Sequence, residues 1–255
     1  MIHTDPTLRF SDRVENYIRY RPGYPPQVLD TLRNECGLTA SSVIADIACG
    51  TGIFSRLLLE NGNRVTGVEP NREMREAAGR LLAAYPDFTS VEGTAEFTSL
   101  PSHSFDFATA AQAAHWFDLP KARQEFIRIL KPKGWAVLIW NERSTDASPF
   151  LCNYEKLLLT YGTDYEQVRH EYTTDNIGAF FAPAPFEQRV FAMRQDFDYS
   201  QLEGRLLSSS YAPMKGHPNY EPMLKELRNI FAAHQKNGRV SMHYLTRVYY
   251  AQMAE

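Results

Sequence analysis

The chain is poor in cysteine. Cys36, Cys49 and Cys152 are its three, an odd number without ligand spacing, which argues against a disulfide framework and against a zinc site. It lacks an excess of either charge: 27 basic and 30 acidic side chains leave a formal net charge of −3, well mixed along the sequence. A nucleic-acid footprint or a basic face for an anionic membrane is therefore not expected. Long apolar runs are missing too. No stretch approaches the about 18 residues of a membrane span, and Met1–Pro6 has no basic region leading into an apolar one. The expectation is a cytoplasmic protein with neither membrane nor nucleic acid as partner; oligomeric state stays open. There is no internal repeat and no low-complexity linker. What is present is 255 residues with 44% hydrophobic and 22% charged side chains, which suits one large domain or one domain with an inserted lid.

From Ser42 to Asn141 the pattern alternates. Short apolar runs at Ser42–Ala48, Arg64–Glu69, Thr89–Glu92, Phe105–Ala110 and Trp135–Asn141 read as strands. Helical spacing fills the gaps. Ile53, Phe54, Leu57 and Leu58 share a face before Gly62, and Met74, Ala77, Ala78, Leu81 and Leu82 share one after a capping Asn71. Asp118 caps a third helix with Pro120 in its first turn, and Lys131-Pro132-Lys133-Gly134 reads as a turn. Strands alternating with helices imply a mostly parallel sheet covered on both faces. After Asn141 the rhythm changes. Phe150–Tyr161 and Pro222–His234 are helical in pattern, Glu187–Phe197 and Val240–Gln252 are strand-like, and Ser200 with Glu203 reads as a capping box. Two late strands separated by helices would form an antiparallel edge. The expected fold is α/β, Rossmann-like and doubly wound, with seven strands and a helical lid. The expected divisions are an N-terminal arm over 1–35, a core over 36–143, and lid segments with the last two strands over 144–255.

The chemistry concentrates at Val43-Ile44-Ala45-Asp46-Ile47-Ala48-Cys49-Gly50-Thr51-Gly52. This is a strand, a glycine turn and a helix start. Glycine lets the backbone approach a ligand, and the helix N-terminus offers unpaired N–H groups. Cys49 reads as a small residue in a crowded turn rather than as a nucleophile. The next strand ends in Glu69, placed to accept hydrogen bonds from a ribose diol. A nucleoside-containing cofactor follows. Gly50-Thr51-Gly52-Ile53-Phe54-Ser55 partly fits a dinucleotide fingerprint. Yet Asp46 would repel a pyrophosphate, while an ammonium at Asp46, a ribose at Glu69 and an adenine edge at Thr94–Glu96 match S-adenosylmethionine.

These residues resemble a class I S-adenosylmethionine-dependent methyltransferase. The resemblance rests on Asp46–Gly52, Val68-Glu69-Pro70-Asn71-Arg72-Glu73-Met74, Gly93-Thr94-Ala95-Glu96 and Leu130-Lys131-Pro132-Lys133-Gly134. The family usually has glycine where Ala48 stands. Gln112-Ala113-Ala114-His115-Trp116-Phe117-Asp118, the Arg19–Pro25 arm and the tyrosine-rich final strand are similar to a small-molecule subgroup that includes trans-aconitate methyltransferase-like proteins. The resemblance implies a cofactor site of Arg21, Asp46, Ala48, Gly50, Gly52, Glu69, Pro70, Met74, Thr94, Ala95, Glu96, Ala111 and Gln112. It implies an acceptor site of Tyr20, His115, Trp116, Arg143 and Tyr211, with His115 as the catalytic candidate and no metal.

The implied reaction is in-line displacement at a sulfonium methyl, onto a small-molecule acceptor. A carboxylate acceptor needs no base and a cation to hold it, for which Arg143 and Arg205 are available. A hydroxyl needs deprotonation, which raises the importance of His115. Tyr172, Tyr211, Tyr244 and Tyr249 are candidates to shape the acceptor cavity. Two alternatives are kept: a nicotinamide-dependent oxidoreductase, and a non-catalytic cofactor-binding protein.

Overall fold

A computed structural model describes residues 13–168 and 174–253. Tyr172 and the leader-like question at Met1–Pro6 lie outside the described residues. In chain order the elements are α1 (Val14–Tyr20), α2 (Gln27–Cys36), β1 (Val43–Ile47), α3 (Ile53–Glu60), β2 (Arg64–Val68), α4 (Arg72–Leu81), β3 (Phe88–Val91) and β4 (Phe105–Ala111). They continue with α5 (Leu119–Ile129), β5 (Leu130–Arg143), α6 (Pro149–Tyr161), α7 (Tyr165–Val168), α8 (Thr174–Phe181), β6 (Glu187–Phe197), α9 (Tyr199–Leu207), α10 (Tyr220–His234) and β7 (Val240–Gln252). The seven strands form one sheet in the order β3-β2-β1-β4-β5-β7-β6. β7 runs antiparallel to both β5 and β6, and the other pairs are parallel. This is the Rossmann-like, doubly wound sheet with an antiparallel edge.

Period-two alternation explains the two cores. Ile44, Phe107, Val137 and Ile139 face α2 and α3, where Leu32, Phe54 and Leu58 meet them. Their neighbours Ala45, Ala108, Ala136 and Ala251 form one row across β1, β4, β5 and β7 by register. These alanines lie in the opposite core with Phe126, Ile129, Phe180 and Phe181. A row of methyl groups leaves room for the aromatic side chains of α5 and α8 to approach the sheet. Phe126 is fully buried, which contributes about 1.5–3 kcal/mol. A third cluster joins α6, α9 and α10 to the start of β7 through Leu151, Leu202, Met223, Met242 and Tyr244, and forms a cap beyond the β5–β7 end of the sheet. A fourth is small: Val14 of α1 packs with Met74 and Ala77 of α4.

Two local expectations need correction. The capping box of α9 is Asp198 with Gln201, not Ser200 with Glu203: Asp198 Oδ1 accepts from Gln201 N at 2.9 Å and Gln201 Oε1 from Asp198 N at 3.0 Å. The helix starts earlier because Tyr199 is half-buried against Phe231. Lys131–Gly134 does not precede a strand but lies inside β5, where Lys133 takes φ 67° and the register with β4 shifts between Phe105 and Phe107. The arm contains α2, whose Val28, Leu29, Leu32 and Cys36 belong to a sheet core. Asn71 and Asp118 cap α4 and α5 as read, accepting from Met74 N and Lys121 N.

Arg13 fixes the arm to the cap. Its guanidinium donates to the carbonyls of Leu207, Ser209 and Ala212, at the C-terminal end of α9. Helix C-termini leave carbonyls unsatisfied and carry partial negative charge, so a buried cation is well placed there.

Candidate active site

The cofactor half starts at Asp46, the last-but-one residue of β1 and fully buried. Its Oδ2 accepts from Ser55 Oγ at 2.6 Å and its Oδ1 from Thr109 Oγ1 at 2.9 Å. Burial pushes its carboxyl up to about 6, against those hydrogen bonds. The turn that follows holds Ala48, Gly50 and Gly52 at φ 54°, 59° and 82°. Ala48 therefore occupies the left-handed region that glycine favours. Glu69 spans two loops: Oε2 accepts from Gly50 N and Oε1 from Asn71 N, both at 2.9 Å. Burial raises its carboxyl, and the two N–H groups and Arg75 oppose that rise. Each carboxylate oxygen keeps a second lone pair, so Glu69 can still accept from a ligand.

Asp46, Ala48, Gly50, Glu69, Pro70, Met74, Thr94, Ala95, Glu96, Ala111 and Gln112 all line one cavity of about 890 Å³. Two of these side chains are engaged otherwise than read. Glu96 accepts from Asp118 N at 2.9 Å, tying the loop after β3 to the start of α5. Gln112, at φ 60°, pairs its amide with the backbone of Asn141: Asn141 N donates to Oε1 at 2.5 Å and Nε2 donates to Asn141 O at 3.4 Å. Gly52 does not line the cavity. A Cβ there would stand 2.6 Å from the Leu82 side chain, so this glycine lets the turn pack on the end of α4.

The same cavity extends under the cap. Arg21, His115, Trp116, Arg143, Arg205, Tyr211, Tyr244 and Tyr249 line it. His115 and Trp116 lie in a 3-10 turn after β4, their ring centroids 4.6 Å apart. Arg143 ends β5 and bonds Glu155 and, at 2.9 Å, Tyr165 Oη. Arg205 is 7% exposed and reaches hydroxyls: Tyr244 Oη at 3.4 Å, Ser209 Oγ at 3.1 Å and Ser208 Oγ at 3.5 Å. Arg21 donates to Ser208 O at 2.9 Å and lies over the Tyr17 ring. Burial and Arg205 lower its pKa. Tyr20 does not line the cavity; its ring packs against Gly204 of α9, because that glycine leaves the space.

Asn141 was missed. Its Nδ2 donates to Gly23 O at 2.9 Å and its Oδ1 accepts from Thr246 Oγ1 at 2.6 Å, so it links arm, β5 and β7. A polar residue closing the apolar run Ala136–Trp140 was the available signal. Tyr17, Tyr24 and Tyr165 also line the cavity without having been singled out.

Residues 45–138 match the family model described as "Methyltransferase domain". An uncharacterized methyltransferase of Mycobacterium bovis is 38% identical over 139 residues, which are 54% of this chain and 54% of that protein. The chain thus spans about half the length of such curated relatives. The malonyl-[acyl-carrier protein] O-methyltransferase of Serratia marcescens is 26% identical over 197 residues, 77% of this chain and 66% of that one. A candidate type II methyltransferase structure from Anaeromyxobacter dehalogenans aligns with TM-score 0.67 at 22% identity, covering 92% of this chain and all of that chain. At that identity the likeness shows the fold. Residues 45–138 thus resemble a methyltransferase domain, and the fold is that of methyltransferase structures.

The cavity presents donor and acceptor groups that fit S-adenosylmethionine, the cofactor this likeness implies. Asp46 and Glu69 supply acids, and Arg21 adds a buried Nε without a partner among the described residues. That orphan donor suits a carboxylate. No group of three or more His, Cys, Asp or Glu among the described residues is placed to hold a metal ion. No helix of the described residues is long and apolar enough to cross a membrane.

Proposed function

We propose that the chain transfers a methyl group from S-adenosylmethionine to an oxygen of a small acceptor, carboxylate or hydroxyl, by in-line displacement. The observation that carries this reading is the single cavity of about 890 Å³ that joins the acid-lined cradle to the arginine- and tyrosine-lined cap. A volume of that size has room for a cofactor and a small acceptor together. The Serratia relative, an O-methyltransferase by name, supports an oxygen acceptor.

Glu69 would hold the ribose diol with its remaining lone pairs, Asp46 would favour the ammonium end electrostatically, and Arg21 would take the carboxylate. Pro70 and Met74 would pack on the adenine, with Thr94 and Ala95 at its edge. The bound cofactor supplies an electrophilic methyl with a good leaving group. The protein's part is orientation and exclusion of water. Holding reactants in line is worth about 7–11 kcal/mol in favourable cases. α1, α6 and α9 supply the cover. His115 serves a hydroxyl acceptor as base and a carboxylate acceptor only as a hydrogen-bonding wall.

Calorimetric titration with S-adenosylhomocysteine and NAD decides between the readings. Micromolar binding of the first with none of the second supports methyl transfer. Binding of NAD alone would sink it in favour of an oxidoreductase. Binding of S-adenosylmethionine without a cavity that admits any acceptor, seen as no methyl transfer to any of a broad set of oxygen acids and alcohols, favours a non-catalytic protein.

A further inference from the structure

Three guanidinium groups converge on one side of the cavity, and only Arg143 bonds a carboxylate among the described residues. Arg205 has hydroxyl partners alone, and Arg21 has a carbonyl and a ring. One donor nitrogen of the group that the cofactor reading leaves over, Arg143 Nη1, is buried with no hydrogen-bond partner among the described residues. A buried donor left unpaired is costly, and a buried cation with neutral partners more so. Tyr211 lies among them, its ring 4.7 Å from that of Tyr165. Burial would raise its phenol, but Arg205, Arg143 and Arg21, with a bond to Ser209, take it below its ordinary value. Positive potential is thus focused at this phenol. Asp46, in β1, and Glu69, just after β2, line the same cavity.

The place is displaced from the cradle. Arg143 ends β5, two strands from β1 in the sheet order, about 10 Å at ordinary strand spacing. Tyr244, which touches Arg205, pairs with Arg143 on β7, one strand further. His115 and Trp116, after β4, stand between.

We propose that Arg205, Arg143 and Tyr211 form a seat for an oxyanion of the acceptor, a carboxylate or a phosphate, set apart from the atom that receives the methyl group. This deepens the methyl-transfer reading and rests on it for the identity of the occupant. The seat gives a role to a buried Arg205 that bonds hydroxyls alone among the described residues: a ligand's oxyanion would be its charged partner. Arginine's planar fork suits either oxyanion. Methylation then acts on a molecule held by its charge, and neutral analogues are rejected because they leave the cations unpaired.

The test titrates the full chain with glutarate, inorganic phosphate and neutral glutaramide, each with and without saturating S-adenosylhomocysteine. At least one anion is expected to bind and glutaramide is not. Arg205→Met should weaken the anion at least tenfold while the affinity for S-adenosylhomocysteine stays within twofold. Arg205→Lys, which keeps charge but not the fork, should recover part of the loss. The melting temperature of Arg205→Met should equal or exceed that of the parent, which separates loss of the seat from unfolding. The tighter of glutarate and phosphate identifies the oxyanion. Equal binding by parent and Arg205→Met, binding of glutaramide as tight as glutarate, or no anion binding beside bound S-adenosylhomocysteine each overturns the seat. Anion binding that depends on Arg205 with no S-adenosylhomocysteine binding upholds the seat and refutes the methyl-transfer reading instead.

Discussion

Asp46→Asn should make the free protein more stable at neutral pH and, on the methyl-transfer reading, worse at holding S-adenosylmethionine. Asp46 is fully buried, and its carboxyl is pushed from 3.8 to about 6, desolvation outweighing the bonds from Ser55 and Thr109. The sign follows from proton counting. Between 3.8 and 6 the folded state holds more protons than the unfolded one, so stability falls as pH rises through that window and stays low above it. At about 1.4 kcal/mol per pKa unit, the ionised carboxylate costs about 3 kcal/mol at pH 7. Asparagine keeps the size and one acceptor oxygen but bonds the two hydroxyls less well, which returns about 1 kcal/mol. The net gain is about 2 kcal/mol, or about 4–8 °C in melting temperature. The assay is thermal unfolding of both proteins in a series of buffers from pH 4 to 7.5. The difference between them should be near zero at pH 4 and grow to its full value by pH 7. A difference that is flat with pH, or that shrinks as pH rises, refutes the assignment of the strain to Asp46. In the same series, the affinity for S-adenosylmethionine should rise through pH 6 in the parent only, since a cationic ligand favours the ionised carboxylate.

Two substitutions of small residues test the geometry further. Ala48→Gly removes a side chain at φ 54°, which relieves about 1–2 kcal/mol and adds about 0.4–1 kcal/mol of unfolded-state freedom. The chain should therefore melt about 1–3 °C higher, and a lower melting temperature would count against the turn as described. Gly204→Ala places a methyl group over the Tyr20 ring. Limited proteolysis should then cut α1 faster, and Tyr20→Ala in the same chain should restore protection; additive effects of the two changes would refute direct packing.

The sheet was legible because its strands carry local signals. β6 and β7 fall at their expected residues, and Asn71 and Asp118 cap the helices they precede. Glu69 and Asp46 were legible by position in a pattern, at strand ends beside a glycine turn. The cap was less so. Arg13 bonds Ser209, 196 residues away, and nothing near Arg13 announces a helix terminus that distant in sequence. Arg205 and Tyr211 meet Arg21 and Arg143 through four separate segments, so their meeting depends on tertiary packing alone. Ser200 and Glu203 misled because the competing Asp198–Gln201 pair has the same spacing, and the packing of Tyr199 on Phe231 decided between them. Tyr20 misled for a related reason: an aromatic on an arm beside a site reads as a wall, and only the gap left by Gly204 shows where it goes.

The position of β7 bears on how such a chain comes off the ribosome. β1 to β4, which carry the cradle, are neighbours in the sheet with β2 and β3 and are complete by Ala111. β7 follows the other six described strands in chain order, yet it lies inside the sheet between β5 and β6. Until Val240–Gln252 emerges, β5 has a bare edge and β6 has no strand to lie against. An open edge of that kind invites pairing with other chains, and closing it needs contacts distant in sequence. Cofactor binding could begin on a growing chain, but Tyr244, Arg143 and the cap over them come together only with the final insertion. On the methyl-transfer reading, competence to turn over an acceptor arrives in one late step, and the interval before it is when the growing chain most needs shielding.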